Sequence, residues 1–239
     1  MSIRLIAILV QGRIGESDCE TLRNGVLAQP VNAISSTAYV IAGLWLVVRA
    51  LRNRAAEMAT QAVFGLTLMS VGVGSVAFHG PQPSGSRLLH DLTIAAVFAV
   101  IAARNLGTLR AWSETTALMA FAAITTVVGV VMALSPDAGN AATGVVGAAA
   151  LGSEIYLYWS RKRGPVSARS MRWLIAIVGL LVVAGVVNLL GRTGAPLCDP
   201  DSLYQGHAAW HALTAVAFGL YGYTAFPSGA QQPTEPSGN

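Results

Sequence analysis

Charged residues are scarce in this chain of 239 residues: only 11% are Asp, Glu, Lys or Arg, whereas 54% are hydrophobic. A water-soluble domain carries roughly 25% charged residues, so this supply cannot cover a water-facing surface. Lipid must therefore surround most of the folded chain. The net charge of +4 comes mainly from arginines that lie between apolar segments. That placement favours topology signals at a membrane and excludes a nucleic-acid-binding face.

Cysteine and lysine are scarcer still. Cys19 and Cys198 are the only two cysteines, which excludes a metal cluster built from cysteine. The only lysine, Lys162, lies between two apolar segments. A retinal protein is thereby excluded, because its Schiff base needs a lysine inside a span. The sequence also lacks internal repeats and a mid-membrane cluster of ionisable residues, which argues against a transporter.

Seven apolar segments of roughly 18–23 residues are each long enough to cross the hydrocarbon core as a helix. The sequence therefore predicts an all-α membrane protein, a bundle of seven transmembrane helices within residues 32–226. An N-terminal extramembrane segment, 1–31, precedes the bundle, and a disordered polar tail, 227–239, follows it. The predicted spans lie near residues 32–51, 60–79, 88–104, 112–134, 141–160, 171–190 and 204–225.

Basic residues alternate between the two sides of this predicted bundle. Most of them follow the first, third and fifth spans: Arg49, Arg52, Arg54, Arg104, Arg110, Arg161, Lys162, Arg163, Arg169 and Arg172. The loops on the other side hold only Arg87 and Arg192. By the positive-inside rule, the N-terminus lies outside and the C-terminus inside.

Only four histidines occur in the chain, and three of them fall at predicted outer ends of spans. His79 closes the second span, whereas His207 and His211 open the seventh. A spacing of four places the last two on one helix face. Three neutral imidazoles leave one position of a tetrahedral zinc ion open for water, which zinc converts to a nucleophile near neutral pH. The sequence therefore predicts a catalytic zinc site near the outer membrane face.

Two further polar residues share this depth. Asp91, at the outer end of the third span, is placed to accept the proton of water and return it to a leaving group. Ser75 lies one helical turn before His79, so its hydroxyl is placed to stabilise an oxyanion. Each has a plainer interpretation: Ser75 as a helix-packing residue, and Asp91 as an acidic residue favoured by the helix dipole. His90, beside Asp91, points elsewhere and is expected to support the site or meet solvent.

Two polar residues inside the spans lie apart from this group. Glu154 sits toward the inner end of the fifth span and is expected to serve as a structural partner of a neighbouring helix, or to reach the interface. Asn188, near the outer end of the sixth span, is expected to join helices by hydrogen bonding.

The motif Ser75-x3-His79, then Asp91, then His207-x3-His211 resembles the signature of the alkaline ceramidases. That family belongs to a superfamily of seven-helix intramembrane hydrolases that includes the adiponectin-receptor-like proteins. Shorter similarities lie at Cys19-Glu20, Pro30-Val-Asn-Ala-Ile-Ser35, Leu197-Cys-Asp-Pro200 and Gln205-Gly-His207. The resemblance runs from about Asp18 to the last span.

The resemblance implies a zinc-dependent amidase that cleaves ceramide or another N-acyl lipid into a fatty acid and an amine base. It assigns zinc to His79, His207 and His211, and the catalytic roles to Asp91 and Ser75. It also implies a Cys19–Cys198 disulfide. Eukaryotic members bind calcium through acidic residues before the first span; this chain keeps Asp18 and Glu20, and has Gln29 where an acidic residue is usual.

A membrane lipid is therefore the expected substrate, and we expect an integral protein of a bacterial inner (plasma) membrane with its active site toward the outer face. The alternative is a receptor-like or regulatory seven-helix protein with a structural zinc site. The fourth zinc position distinguishes the two, because a catalytic zinc keeps it open whereas a structural zinc has it filled by protein.

Overall fold

A computed structural model describes residues 13–53, 57–160 and 171–226. Several sequence-based predictions concern residues outside these ranges. They are the inner-loop cations Arg54, Arg161, Lys162, Arg163 and Arg169, and the disordered tail 227–239. Within the described ranges, regular secondary structure is entirely helical, which confirms the predicted all-α class.

The helices follow the apolar segments of the sequence. A short helix, α1 (Pro30–Ser35), leads through Ser36 into α2 (Thr37–Asn53). The later long helices are α3 (Met58–His79), α4 (Ser86–Arg110), α5 (Glu114–Leu134), α6 (Gly139–Trp159), α7 (Met171–Leu190) and α8 (Gly206–Ala225). Each of the seven predicted segments overlaps one of the helices from α2 onwards.

Among the residues that the structure describes, five helical stretches are long and apolar enough to cross a membrane: Pro30–Arg52, α3, α4, α5 and Arg172–Leu190. Helices α6 and α8 are less apolar, because α6 contains Asn140 and Glu154 among many Gly and Ala residues, and α8 contains two histidines. Five candidate spans are thus established, and the count of seven stays a prediction. In α5 and in Arg172–Leu190, only 11% of the most apolar window is buried. Their exposed Leu and Val side chains suit a surface in contact with lipid.

The centre of the bundle is built around α4, the candidate span with the largest buried share. Helices α3, α5 and α6 pack against it, α2 packs against α3 and α8, and α7 packs against α8. The buried core includes Leu46, Phe64, Leu68, Val97 and Val100. This arrangement brings the ends of α3 and the starts of α4 and α8 together at one end of the bundle.

Close backbone approach sets the position of α8. Gly191, just after α7, and Gly206, at the start of α8, lie so near that a Cβ on Gly191 would stand 2.7 Å from the Cα of Gly206. Small residues allow helices to pack closely in lipid. The contact brings Asn188 of α7 beside His207 of α8.

The N-terminal segment lies across the loop between α7 and α8. Cys19 and Cys198 form a disulfide whose Cα atoms are 5.6 Å apart. The backbone N–H of Cys19 donates to Thr193 Oγ1 at 3.0 Å, and that of Thr21 donates to the carbonyl oxygen of Pro200 at 3.0 Å. The segment is therefore fixed to the same end of the bundle as the three histidines.

Helix α1 begins on a buried carboxylate. Glu20 Oε1 accepts the backbone N–H of Val31, and Oε2 accepts that of Asn32, each at 2.8 Å. A negative charge at a helix N-terminus is favourable, and Pro30 at the first helical position has no N–H to satisfy. Glu20 thus holds α1 in place against the bundle.

Glu154 has the structural role expected from the sequence. Its Oε1 accepts hydrogen bonds from Asn105 Nδ2 of α4 and from the Tyr221 hydroxyl of α8. The carboxylate therefore joins three helices at the end of the bundle away from the histidines.

Candidate metal centre

Three histidines converge between the end of α3 and the start of α8. One ring nitrogen from each of His79, His207 and His211 lies within 4.8 Å of the others. His79 and His211 are buried, and His207 is half-buried. The convergence predicted from the sequence is therefore present, and the arrangement is one that could hold a metal ion.

An oxygen atom faces the Nδ1 atom of each ring. His79 Nδ1 lies 2.7 Å from Gln29 Oε1, His207 Nδ1 lies 2.9 Å from Asn188 Oδ1, and His211 Nδ1 lies 2.9 Å from Ser35 Oγ. Metal-binding histidines commonly donate their other ring N–H to such an oxygen, which fixes the ring and its tautomer.

The neighbours of Gln29 and Ser35 determine the direction of two of these bonds. Gln29 Nε2 donates to the carbonyl oxygens of Gly15 at 2.8 Å and Glu20 at 2.9 Å, so its Oε1 must face His79. Ser35 Oγ donates to the Asn32 carbonyl oxygen at 2.9 Å, so it accepts from His211. Both rings therefore carry their proton on Nδ1 and leave the Nε2 lone pair directed inward.

His79 Nε2 and His207 Nε2 lie only 3.2 Å apart. With the Nδ1 protons held by Gln29 and Asn188, both Nε2 atoms present lone pairs to each other. Two facing lone pairs repel unless a cation lies between them. Neutral imidazole nitrogen is a preferred ligand of zinc, so the donor set fits that ion.

Ser75 lies in the same group, as its position one turn before His79 predicts. Its Oγ is 3.3 Å from His211 Nε2 and 2.8 Å from Ser36 Oγ, and the side chain is buried. Ser36 Oγ donates to the Asn32 carbonyl oxygen at 2.7 Å. In this arrangement the Ser75 hydroxyl donates to Ser36.

Asp91 lies to one side of the three histidines, and its hydrogen-bond partner is His90. Asp91 Oδ1 accepts from His90 Nδ1 at 2.8 Å, and Oδ2 lies near the start of α6, 3.1 Å from where a Cβ on Gly139 would stand. The His90 ring stacks on Phe78 and lies 6.2 Å from the His79 ring, centre to centre. His90 is thus a supporting neighbour of the site.

Asp18 and Glu20 are both buried near the cluster. Asp18 Oδ1 lies 3.8 Å from His207 Nδ1 and accepts the Ser17 hydroxyl at 3.0 Å. Both Glu20 carboxylate oxygens accept backbone N–H groups at the start of α1. The family resemblance implies calcium at these two residues, and a calcium ion there would compete with those N–H groups for the Glu20 carboxylate.

Sequence reasoning missed the residues that orient the rings. Asn188 was expected to join helices; it does join α7 to α8, but its partner is the candidate metal ligand His207. Gln29 and Ser35 stood in or beside the short Pro30–Ser35 similarity and were given no role. A signal existed for Gln29, because it stands immediately before Pro30, where the family that the sequence resembles usually has an acidic residue.

The chain matches the family model described as Ceramidase over residues 23–228. A comparison with curated protein sequences gives no significant match. The matched region contains the three histidines, Ser75, Asp91 and all seven long helices, α2 to α8. Because the match extends over most of the 239 residues, the chain belongs to the ceramidase family.

Proposed function

We propose that this protein is a zinc-dependent amidase of the membrane that hydrolyses ceramide or a related N-acyl lipid to a fatty acid and an amine base. The observation that carries the proposal is the inward convergence of imidazole lone pairs, with two Nε2 atoms 3.2 Å apart. Zinc bound by His79, His207 and His211 would acidify a water molecule and polarise the amide carbonyl.

Asp91 is the proposed proton carrier. Hydrolysis adds the oxygen of water to the acyl carbon, breaks the carbon–nitrogen bond and requires a proton on the departing amine. The carboxylate of Asp91 takes the proton from water and returns it to that nitrogen. His90 donates from Nδ1 to Asp91 Oδ1 and fixes that oxygen of the carboxylate. The other oxygen, Oδ2, lies near the start of α6, so for proton transfer the carboxylate would turn toward the three histidines.

Ser75 is proposed to stabilise the negative charge that develops on the carbonyl oxygen. Its hydroxyl is buried within reach of His211 Nε2, where water does not compete. A preorganised donor in such a site stabilises the transition state more than the substrate. For this role the Ser75 proton must turn from Ser36 toward the substrate, with Ser36 donating to Ser75 in exchange.

The proposed topology has seven spans, the N-terminus outside and the C-terminus inside, with the site near the outer face of a bacterial inner membrane. The acyl chains of the substrate would stay in the bilayer while its head group reaches the histidines from the side. Phe78 and Trp210 are the proposed apolar lining of that route. The largely exposed apolar faces of α5 and α7 support a bundle surrounded by lipid.

The function is tested by reconstituting the zinc-loaded protein in vesicles that contain ceramide and measuring released fatty acid by mass spectrometry. Wild-type protein should release fatty acid, and His211→Ala should not. Gln61→Met is the matched control, because Gln61 is buried in α3 at the other end of the bundle, and it should keep wild-type turnover. If zinc-loaded wild type cleaves neither ceramide nor other N-acyl lipids, the receptor-like alternative with a structural zinc site takes the place of this proposal.

A further inference from the structure

Asn32 carries a fully buried carboxamide that has no hydrogen-bond partner among the residues that the structure describes. The residue is 0% exposed, and neither Nδ2 nor Oδ1 makes a hydrogen bond within the described residues. Its backbone groups, by contrast, are satisfied: the N–H donates to Glu20, and the carbonyl oxygen accepts from Ser35 and Ser36. An unpaired buried amide is costly to stability, so its retention calls for an explanation.

The position of Asn32 on its helix places it beside the histidines. Residues 32, 36 and 39 follow the 4-3 spacing of one helix face, and Gln29 lies immediately before that helix begins. All four are buried, at 0%, 0%, 5% and 0% exposure in that order. Gln29 bonds to His79, Ser36 bonds to Ser75, and the Tyr39 ring contacts the His211 ring at 5.9 Å. Asn32 lies between Gln29 and Ser36 along the chain, and of these four residues it is the one whose side chain makes no hydrogen bond within the described ranges.

Asn32 is also the donor that is free to act. The Ser75 hydroxyl already has Ser36 as its acceptor, so it must rearrange before it can serve a substrate. The two N–H groups of Asn32 Nδ2 have no acceptor within the described residues, so they can bind a substrate oxygen without first breaking another hydrogen bond. A neutral amide also does not compete with the histidines for a cation, unlike a carboxylate at the same place.

We propose that Asn32 is a substrate-binding residue whose Nδ2 donates a hydrogen bond to the carbonyl oxygen of the scissile amide. The inference rests on the proposed amidase function and adds a second oxyanion donor to Ser75. The carbonyl oxygen of a bound substrate would be the hydrogen-bond acceptor that the Asn32 amide lacks among the described residues. In the free protein the unpaired Asn32 amide lowers stability, and stability is commonly sacrificed in this way at functional sites.

Asn32→Leu tests the role by replacing the amide with an apolar group of similar shape. Removing an unsatisfied buried amide in this way is neutral or stabilising, so the melting temperature should hold or rise, and zinc content should not change. Loss of one oxyanion donor should lower kcat by about 10²–10³-fold. This combination of an intact fold with lost turnover is the expected result.

Gln61→Met is the matched control for this experiment. Gln61 is also 0% exposed, and both of its side-chain polar atoms also lack a partner within the described residues. It lies on α3 18 residues before His79 (79 − 61), about 27 Å along the helix. Gln61→Met should hold or raise the melting temperature, as Asn32→Leu does, and leave kcat unchanged.

A binding measurement separates this inference from the proposed function. Sodium decanoate carries the carboxylate of a fatty-acid product, and its affinity for zinc-loaded protein can be measured by calorimetry without turnover. We expect about tenfold weaker binding by Asn32→Leu and no change by Gln61→Met. If wild-type protein hydrolyses no lipid amide, the proposed amidase function is wrong. Weaker decanoate binding by Asn32→Leu than by wild type would even then show that Asn32 binds a ligand oxygen.

Two results would overturn the role of Asn32. Wild-type kcat and decanoate affinity in Asn32→Leu would show that the amide contacts no substrate. Loss of zinc together with turnover, in both Asn32→Leu and the smaller Asn32→Ala, would show instead that Asn32 holds the histidines in place. If Asn32→Leu does not fold, Asn32→Ala takes its place in the test, because the shorter side chain leaves room for water. Lost turnover with zinc retained in Asn32→Ala supports the proposal.

Discussion

Gln29 Oε1 accepts a hydrogen bond from His79 Nδ1 at 2.7 Å, and this bond connects the N-terminal segment to the candidate metal centre. The other end of the same amide donates to the carbonyl oxygens of Gly15 and Glu20. Every polar atom of the Gln29 side chain is therefore engaged. The amide fixes both the tautomer and the angle of the His79 ring.

Replacing Gln29 should therefore weaken metal binding without removing a ligand. In Gln29→Leu, His79 Nδ1 loses its acceptor, and the ring is free to turn or change tautomer. Loss of such a supporting hydrogen bond typically costs about 10–100-fold in metal affinity. Competition with a zinc chelator measures the change, and Gln61→Met again serves as the buried-amide control. Equal zinc affinity in Gln29→Leu and wild type would contradict the role given to this bond.

Asp91→Asn should separate proton transfer from metal binding. The substitution keeps the shape of the side chain but removes the base, so kcat should fall by about 10³–10⁴-fold while zinc stays bound. Ser75→Ala is the comparison, and we expect a smaller loss of about 10²-fold, since only one oxyanion donor is removed. Zinc content by elemental analysis and turnover on vesicle-bound ceramide give both quantities. Unchanged turnover in Asp91→Asn would show that another residue is the general base.

The parts of the fold that depend on composition could be predicted from the sequence. Apolar runs predicted the helices, and the spacing of His207 and His211, with His79 at the same depth, predicted the convergence of these three histidines. Boundaries were less accurate: α4 continues to Arg110, beyond the predicted end at 104, because Arg104 and Asn105 find polar partners in Glu57 and Glu154. When only hydropathy is considered, polar residues near the membrane surface look like the end of a transmembrane helix, although the helix continues past them.

The residues that orient the histidines could not be predicted, because their partners are set by tertiary approach. Asn188 reaches His207 only because Gly191 and Gly206 let α7 and α8 come close. Gln29 reaches His79 only because Glu20 anchors the start of α1. No local pattern encodes these long-range contacts, so Asn188 looked like an ordinary polar residue in a span.

The Cys19–Cys198 disulfide should contribute mainly to stability. It closes a loop of 179 residues, and loss of a native disulfide typically costs about 2–5 kcal/mol. We expect Cys19→Ser/Cys198→Ser to unfold at a lower temperature yet to retain about one zinc per chain, because the bonds of Thr193 and Pro200 still hold the N-terminal segment. Differential scanning calorimetry and elemental analysis test this. Both thiols recovered free from wild-type protein purified without reductant would contradict the disulfide and the external placement of these loops.

Calcium should have little effect on the wild-type protein. Both carboxylate oxygens of Glu20 already accept backbone N–H groups, and Gln29 Nε2 donates to two carbonyl oxygens that a cation would otherwise bind. Adding calcium or a calcium chelator should therefore leave the melting temperature unchanged. In Gln29→Glu, a carboxylate would face the Gly15 and Glu20 carbonyl oxygens, an oxygen-rich set that calcium prefers, so calcium should raise the melting temperature, whereas sodium should not. If calcium raises the melting temperature of the wild-type protein, Asp18 and Glu20 are the expected calcium ligands.

The zinc content of the purified protein shows whether His79, His207 and His211 form one metal site. Elemental analysis of purified wild-type protein, set beside His79→Ala, His207→Ala and His211→Ala, shows whether the three imidazoles bind one ion together. Because their lone pairs converge and two Nε2 atoms lie 3.2 Å apart, wild type should contain about one zinc per chain, and each variant should contain much less. A wild type without zinc that also fails to bind added zinc, or three variants that retain it, would contradict the account.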